Sequence, residues 1–87
     1  MKITFDPAKN ITNLRKHKVS LADCEGVFYD PRALTREDTD HDELRFVTLG
    51  MTQAGELWVV AYTYRGEDIR VISARRAEPR ERRQYEA

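Results

Sequence analysis

The sequence predicts an α+β fold. N-terminal helices pack on one face of an antiparallel β-meander, and a short helix closes the chain. Three features predict this. Helix-start signals stand at Asp6-Pro7 and at Ser20, each followed by apolar residues at helical spacing. From Ala33 onward the pattern changes to β-branched and aromatic runs separated by turn residues. The gaps between runs are short, so consecutive strands are joined as hairpins.

Ile3-Thr4-Phe5 is a short strand. Asp6 caps the first free amides of a helix that Pro7 enters at its first position, and the helix runs to about His17. Its apolar stripe, Ala8, Ile11 and Leu14, is thin, which predicts a surface helix with one narrow buried seam. Arg15, Lys16, His17 and Lys18 gather at its end. Cations there complement the helix dipole, and contact with a ligand is the other reading of the cluster. Ser20 caps a second helix with Leu21, Cys24, Val27 and Phe28 as its core face. Asp30-Pro31 stops it, because a residue before proline is pushed out of the α region.

Ala33 to Glu37 is a short strand near a sheet edge. Asp38 to Glu43 is an acidic loop without the glycine and terminal glutamate of an EF-hand. It reads as solvated, and a lone His41 among aspartates does not make a transition-metal site. Leu44 to Met51 is a strand, Thr52 to Gly55 a hairpin turn, and Glu56 to Tyr64 the most apolar strand. Leu57, Val59 and Ala61 share one face of it, and Trp58, Val60, Tyr62 and Tyr64 the other. With both faces apolar, this strand is predicted to be central. The last strand, Asp68 to Arg75, follows a turn at Arg65-Gly66. Alternation places Ile69, Val71, Ser73 and Arg75 on one face and Arg70, Ile72, Ala74 and Arg76 on the other. Pro79 to Tyr85 is the closing helix. One layer of helices leaves one sheet face open, which predicts that an apolar or acidic face accepts a partner segment.

The 87 residues suit one domain, 1–87, with a modest core. The formal net charge is zero but unevenly placed. Residues 1–18 carry five basic groups and one acid, residues 19–64 nine acids and three arginines, and residues 65–87 seven arginines and five acids. Zero net charge argues against binding to nucleic acid through many phosphate contacts, and leaves room for a local site built from a few arginines. A guanidinium held on a strand end grips a phosphate with two parallel hydrogen bonds. The single cysteine, Cys24, allows no intrachain disulfide and reads as a small buried hydrophobe. No apolar run approaches the roughly 18 residues of a membrane span and no signal-peptide core opens the chain, so a cytoplasmic location is expected. No cofactor and no metal is predicted.

Several segments occur in a telling order: Phe5 to Asn10, Asn13 to His17, Val27 to Pro31, Asp40-His41, Glu43 to Arg45, Gly50, Ile69 to Ala77, and Glu81 to Glu86. Together they resemble the BrnT toxins of type II toxin–antitoxin systems over nearly the whole chain. Two positions depart: Lys18 stands where the family often has glycine, and Leu21 where it often has phenylalanine. The resemblance implies a RelE-like fold and an endoribonuclease that blocks translation. It also implies inhibition by a BrnA-like antitoxin with a ribbon-helix-helix segment, through which alone the complex would reach operator DNA.

Metal-independent RNA cleavage needs a base for the 2′-hydroxyl, a cation for the phosphorane and an acid for the leaving 5′-oxygen. Arg75, then Arg45 and Arg65, are the candidate cations, and His17 and Glu81 the candidate proton-transfer groups. Lys16, Arg70, Arg76, Tyr64 and Tyr85 are candidates for holding RNA. Each has a structural alternative: an ion pair of Arg75 with Glu78 or Glu81, a capping role for Glu81, a helix-end role for His17, and packing for Tyr64 and Tyr85. A second reading is a non-catalytic module that binds an antitoxin and acts only in repression. The two separate on whether Arg45, Arg65, Arg75 and a proton donor meet at one surface. Direct DNA binding is disfavoured by the net charge and by the lack of a helix-turn-helix pair.

Overall fold

The computed structural model describes residues 1–40 and 42–87; His41, and with it part of the acidic loop, lies outside them. Five strands form one sheet in the order β1-β5-β4-β3-β2, with β1 Ile3–Phe5, β2 Leu34–Asp38, β3 Arg45–Met51, β4 Leu57–Arg65 and β5 Asp68–Arg76. Helix α1 spans Pro7–His17 and α2 spans Pro79–Glu86. The central strand is β4, as its two apolar faces predict. β2 is the edge strand. The sheet is mixed rather than a pure meander: β2 to β5 are antiparallel neighbours, while β1 pairs in parallel with β5, Ile3 opposite Ile69 and Phe5 opposite Val71. A parallel partner requires a long crossover, and residues 6–67 supply it.

The second helix differs from expectation. Residues 21–29 form two 3₁₀ turns, Leu21–Asp23 and Glu25–Tyr29, the first capped by Ser20, whose hydroxyl accepts from Ala22 N–H at 3.2 Å. In a 3₁₀ turn residues three apart lie on one line. Leu21, Cys24 and Val27 follow that period, and each is at most 1% exposed. An α-helical period would have turned Phe28 inward instead, and Phe28 is only partly buried. Gly26 permits the segment to press on the β3–β4 turn: a Cβ there would lie 2.5 Å from the Gln53 backbone nitrogen.

The 3₁₀ segment, with Val19, covers one sheet face and forms the core with Trp58, Val60, Tyr62, Ile69, Val71 and Ala74. Cys24 is fully buried, and burial pushes its thiol pKa up to about 12, so it packs as an inert hydrophobe. A chain of hydroxyls crosses this layer, Thr35 to Thr48 to Tyr62, with 2.8 Å at each step.

Helix α1 is attached differently from the expected stripe. Ile11 is 52% and Leu14 40% exposed, and its buried residue is Asn13. The inward face is Asn10, Asn13 and His17, at helical spacing. Asn10 Oδ1 accepts from Leu21 N–H at 2.7 Å and its amide pairs with the Ser20 hydroxyl. Asn13 Oδ1 accepts from Ala74 N–H at 3.1 Å, and its Nδ2 donates to Ala74 C=O at 2.9 Å and to Val19 C=O at 3.0 Å. β1 stops pairing at Val71, so the outer edge of β5 would otherwise carry unpaired backbone groups at Ala74. The Asn13 amide supplies both donor and acceptor, standing in for one residue of a strand.

The helix ends on Lys18 at φ 62°, the left-handed conformation that glycine usually supplies. The turn forms nonetheless, with Lys18 N–H on Leu14 C=O and the Lys18 ammonium on Arg15 C=O, both at 3.0 Å.

Candidate active site

Which side chains share a sheet face depends on a bulge in β5. The β4–β5 register runs Ala61 opposite Ser73 and then Tyr62 opposite Val71, which leaves Ile72 as an extra residue. Simple alternation fails across it. Ile69 and Val71 share the core face with Ala74 and Arg76, while Arg70, Ser73 and Arg75 share the other. The expectation that Arg75 lies with Ile69 and Val71, and Arg70 with Arg76, is corrected by that one extra residue.

Arg75 lies opposite Val59 and against α2. Its Nη1 and Nη2 donate to Glu81 Oε1 and Oε2, both at 2.8 Å, and Nη1 also reaches Arg76 C=O at 3.2 Å. Glu81 accepts a third bond, from Glu78 N–H at 2.8 Å, closing a capping box at the start of α2. Three donors and a cation hold the Glu81 carboxyl pKa down at about 2, with the Arg75 hydrogen bonds as the largest cause. The same pair raises Arg75 above its ordinary range. Glu81 is thus a carboxylate at any physiological pH. It holds Arg75 through two hydrogen bonds and caps α2.

His17 stands half-buried at the end of α1, near Arg75. Burial first, then the charges of Lys16 and Arg75, hold its pKa below 6.5, so it is neutral at pH 7. Lys16 and His17 border a groove of about 330 Å³ between α1 and β5. Lys16 and His17 thus line the α1 side of β5, and Arg75 and Glu81 line the neighbouring α2 side, with the Arg75 charge felt at His17.

The other candidates lie elsewhere. Arg45 and Arg65 flank Glu43, each at 3.9 Å from a carboxylate oxygen. Val59, opposite Arg75, pairs with Leu49, and Arg45 is four residues from Leu49, so about 13 Å of strand separate the two levels. The three arginines share one sheet face by register, but Arg45 and Arg65 stand at the far end of the strands from Arg75 and do not converge with it. Arg76, on the core face, pairs with Glu56 at 3.5 Å, and Arg70 lies further along β5, between Thr4 and Thr63. Tyr64 is 49% exposed on the opposite sheet face, edge-on to Phe46 and Tyr62 at ring distances of 5.3 and 5.9 Å. Tyr85 donates to Asp30 Oδ2 at 2.6 Å, and that oxygen also accepts from Met51 N–H at 2.8 Å, so Tyr85 fastens the end of α2 to the loop before β2. Sequence reasoning missed Asn13, which sets α1 against β5. An amide in place of an expected apolar residue on the inner face of a helix is the signal that could have found it. Beyond α2, the open sheet face keeps an apolar groove of about 170 Å³ beside Leu34, Val47, Leu49 and Val59.

A small α+β fold that lines β5 with cations and an imidazole suits a domain that engages a phosphate-bearing ligand. The comparisons with known proteins specify it. The family model described as "Ribonuclease toxin, BrnT, of type II toxin-antitoxin system" matches residues 5–81. The crystal structure of the Brucella abortus ribonuclease toxin BrnT superimposes with a TM-score of 0.68 at 27% identity, covering 90% of this chain and 97% of that one. No curated protein sequence matches. The chain belongs to the BrnT family of ribonuclease toxins of type II toxin–antitoxin systems, a membership that implies a protein antitoxin as partner. No helix among the described residues is long and apolar enough to cross a membrane.

Proposed function

We propose that this protein is a metal-independent endoribonuclease that inhibits translation and is held inactive by a BrnA-like ribbon-helix-helix antitoxin. The observation that supports the chemistry is a His17 held toward its neutral form at the end of the α1–β5 groove, with Lys16 next to it and the Arg75 charge felt there. His17 takes the proton from a 2′-hydroxyl. The freed oxygen attacks the adjacent phosphorus, and the bond to the 5′-oxygen breaks. Arg75, oriented by Glu81, stabilises the phosphorane charge, and the Lys16 ammonium supplies a proton to the leaving oxygen. A His17 held toward its neutral form is the state a base needs in this sequence.

A second reading has its own support. Arg45, Arg65, Arg75 and Arg76 are each engaged with or close to a carboxylate, which suits a folded module that binds an antitoxin and cuts nothing. Purified protein free of antitoxin, incubated with RNA in EDTA, separates the two. Cleavage by the wild type that is lost in both His17→Ala and Arg75→Ala, with circular dichroism unchanged, supports the enzyme. No cleavage, repeated with translating ribosomes present, supports the module.

A further inference from the structure

The groove between α1 and β5 carries more than the two residues at its end. Lys9, Thr12 and Lys16 lie along one ridge of α1, facing Ile72 and Ser73 of β5, with His17 at the far end. Lys9 and Lys16 are two helical turns apart, about 10.5 Å along the axis. No ion pair among the described residues uses either lysine, in contrast to Arg45, Arg65, Arg75 and Arg76. No acid lines the groove, and the one acid in the first 18 residues, Asp6, is occupied in capping Ala8 N–H at 2.9 Å. The bulge residue Ile72 is its one large apolar side chain.

We propose that this groove is the track for the phosphate backbone of single-stranded RNA, with Lys9 and Lys16 as phosphate contacts that lead the strand to His17 and Arg75. The inference rests on the ribonuclease reading for where the strand is delivered. Two uncompensated ammonium groups in a row, hydroxyls from Thr12 and Ser73 between them, and continuity with the His17–Arg75 junction fit a polyanion read by its backbone. An acidic protein segment is the competing occupant, and the groove offers it one large apolar anchor, Ile72. The track lets a chain of zero net charge hold RNA locally, because this groove carries two lysines and no lining acid.

The test is the salt dependence of binding to a 2′-O-methyl RNA oligomer, which cannot be cleaved, followed by fluorescence anisotropy. In the Lys9→Gln/Lys16→Gln double variant the slope of log K against log salt is expected to shrink by about 1.4, roughly 0.7 for each lost single-strand phosphate contact. Lys2→Gln just before β1 and Arg82→Gln/Arg83→Gln on α2 are expected to leave it unchanged. An unchanged slope in the double variant, loss of the slope in the α2 variant instead, or no salt-dependent binding by the wild type overturns the proposal. So does a double variant that keeps its RNA slope but loses affinity for an acidic peptide, which would assign the groove to a protein partner. Binding that depends on Lys9 and Lys16 by a protein that cuts no cleavable RNA upholds the track and removes the nuclease reading. Cleavage with a slope indifferent to both lysines does the reverse.

Discussion

Removing the Asn13 amide should unfasten α1 from the sheet. The side chain is 5% exposed and makes three hydrogen bonds, two to Ala74 and one to Val19. Asn13→Leu keeps the volume but leaves the Ala74 N–H and two carbonyls without partners. Each such group costs about 1–3 kcal/mol, with carbonyls at the lower end, so the expected loss is about 3–5 kcal/mol. A chain of this length has a total stability of about 4–13 kcal/mol, so the variant lies near the folding threshold. Urea denaturation at pH 7 measures it. For a slope of about 1–2 kcal/mol per molar, the midpoint falls by about 1.5–5 M, or the variant is unfolded at the outset. Asn13→Asp sharpens the test, because its shape is conserved. Its carboxylate accepts from Ala74 N–H but faces two carbonyls, so its folded-state pKa is raised above the ordinary value of about 3.9. The folded form then binds more protons, and the lost stability returns as the pH falls through the raised pKa, where a protonated carboxyl can donate. A loss below about 1 kcal/mol for Asn13→Leu, or an Asn13→Asp variant whose deficit does not shrink on acidification, would refute the argument that this amide completes the edge of β5.

Glu81 gives a second pH signature. Its folded pKa, about 2, lies below the unfolded value of 4.5, so the Arg75–Glu81 pair stabilises above that value and is lost as the pH falls toward 2. Full linkage corresponds to about 3 kcal/mol. Because the Arg75 side chain is 35% exposed, solvent screening reduces the expected contribution to about 1–2 kcal/mol, seen as acid-induced loss in the wild type that Glu81→Gln lacks. The His17 ring is expected to titrate below 6.5 by NMR and to move up toward it in Arg75→Gln, since one depressing charge is removed; an unmoved titration would place Arg75 too far away to act on it. Depression also means that the folded state favours the neutral ring, so the His17 contribution weakens as the pH drops through the interval below 6.5. Gly26→Ala is expected to destabilise by about 1–3 kcal/mol in thermal melts, because its Cβ would meet backbone at 2.5 Å. Gly55→Ala, with open space but φ 84°, is expected to cost about 1 kcal/mol from conformation alone.

Local chemistry determined much of this protein. Asp6 and Pro7 start α1, Pro79 starts α2, the period-2 runs mark β3 to β5 within a residue or two, and the two apolar faces of residues 57–64 mark the central strand. Each of those signals acts between neighbours along the chain, so the sequence carries it directly. The family resemblance was legible for the same reason: it rests on ordered short segments. The tertiary structure alone decided the rest. It paired β1 in parallel, because a three-residue strand has no local signal for its partner. It inserted Ile72 as a bulge and so moved Arg70 onto the face of Arg75, which no alternation rule can foresee. It turned the polar face of α1 inward, because that helix lies along a sheet edge whose backbone groups need amides, whereas a sheet face would have buried Ile11 and Leu14. It also set Arg45 and Arg65 far along the strands from Arg75 and placed Lys16 and His17 in the neighbouring α1–β5 groove. The convergence of side chains is a property of strand register and helix placement, and both are set by packing between residues far apart in the chain.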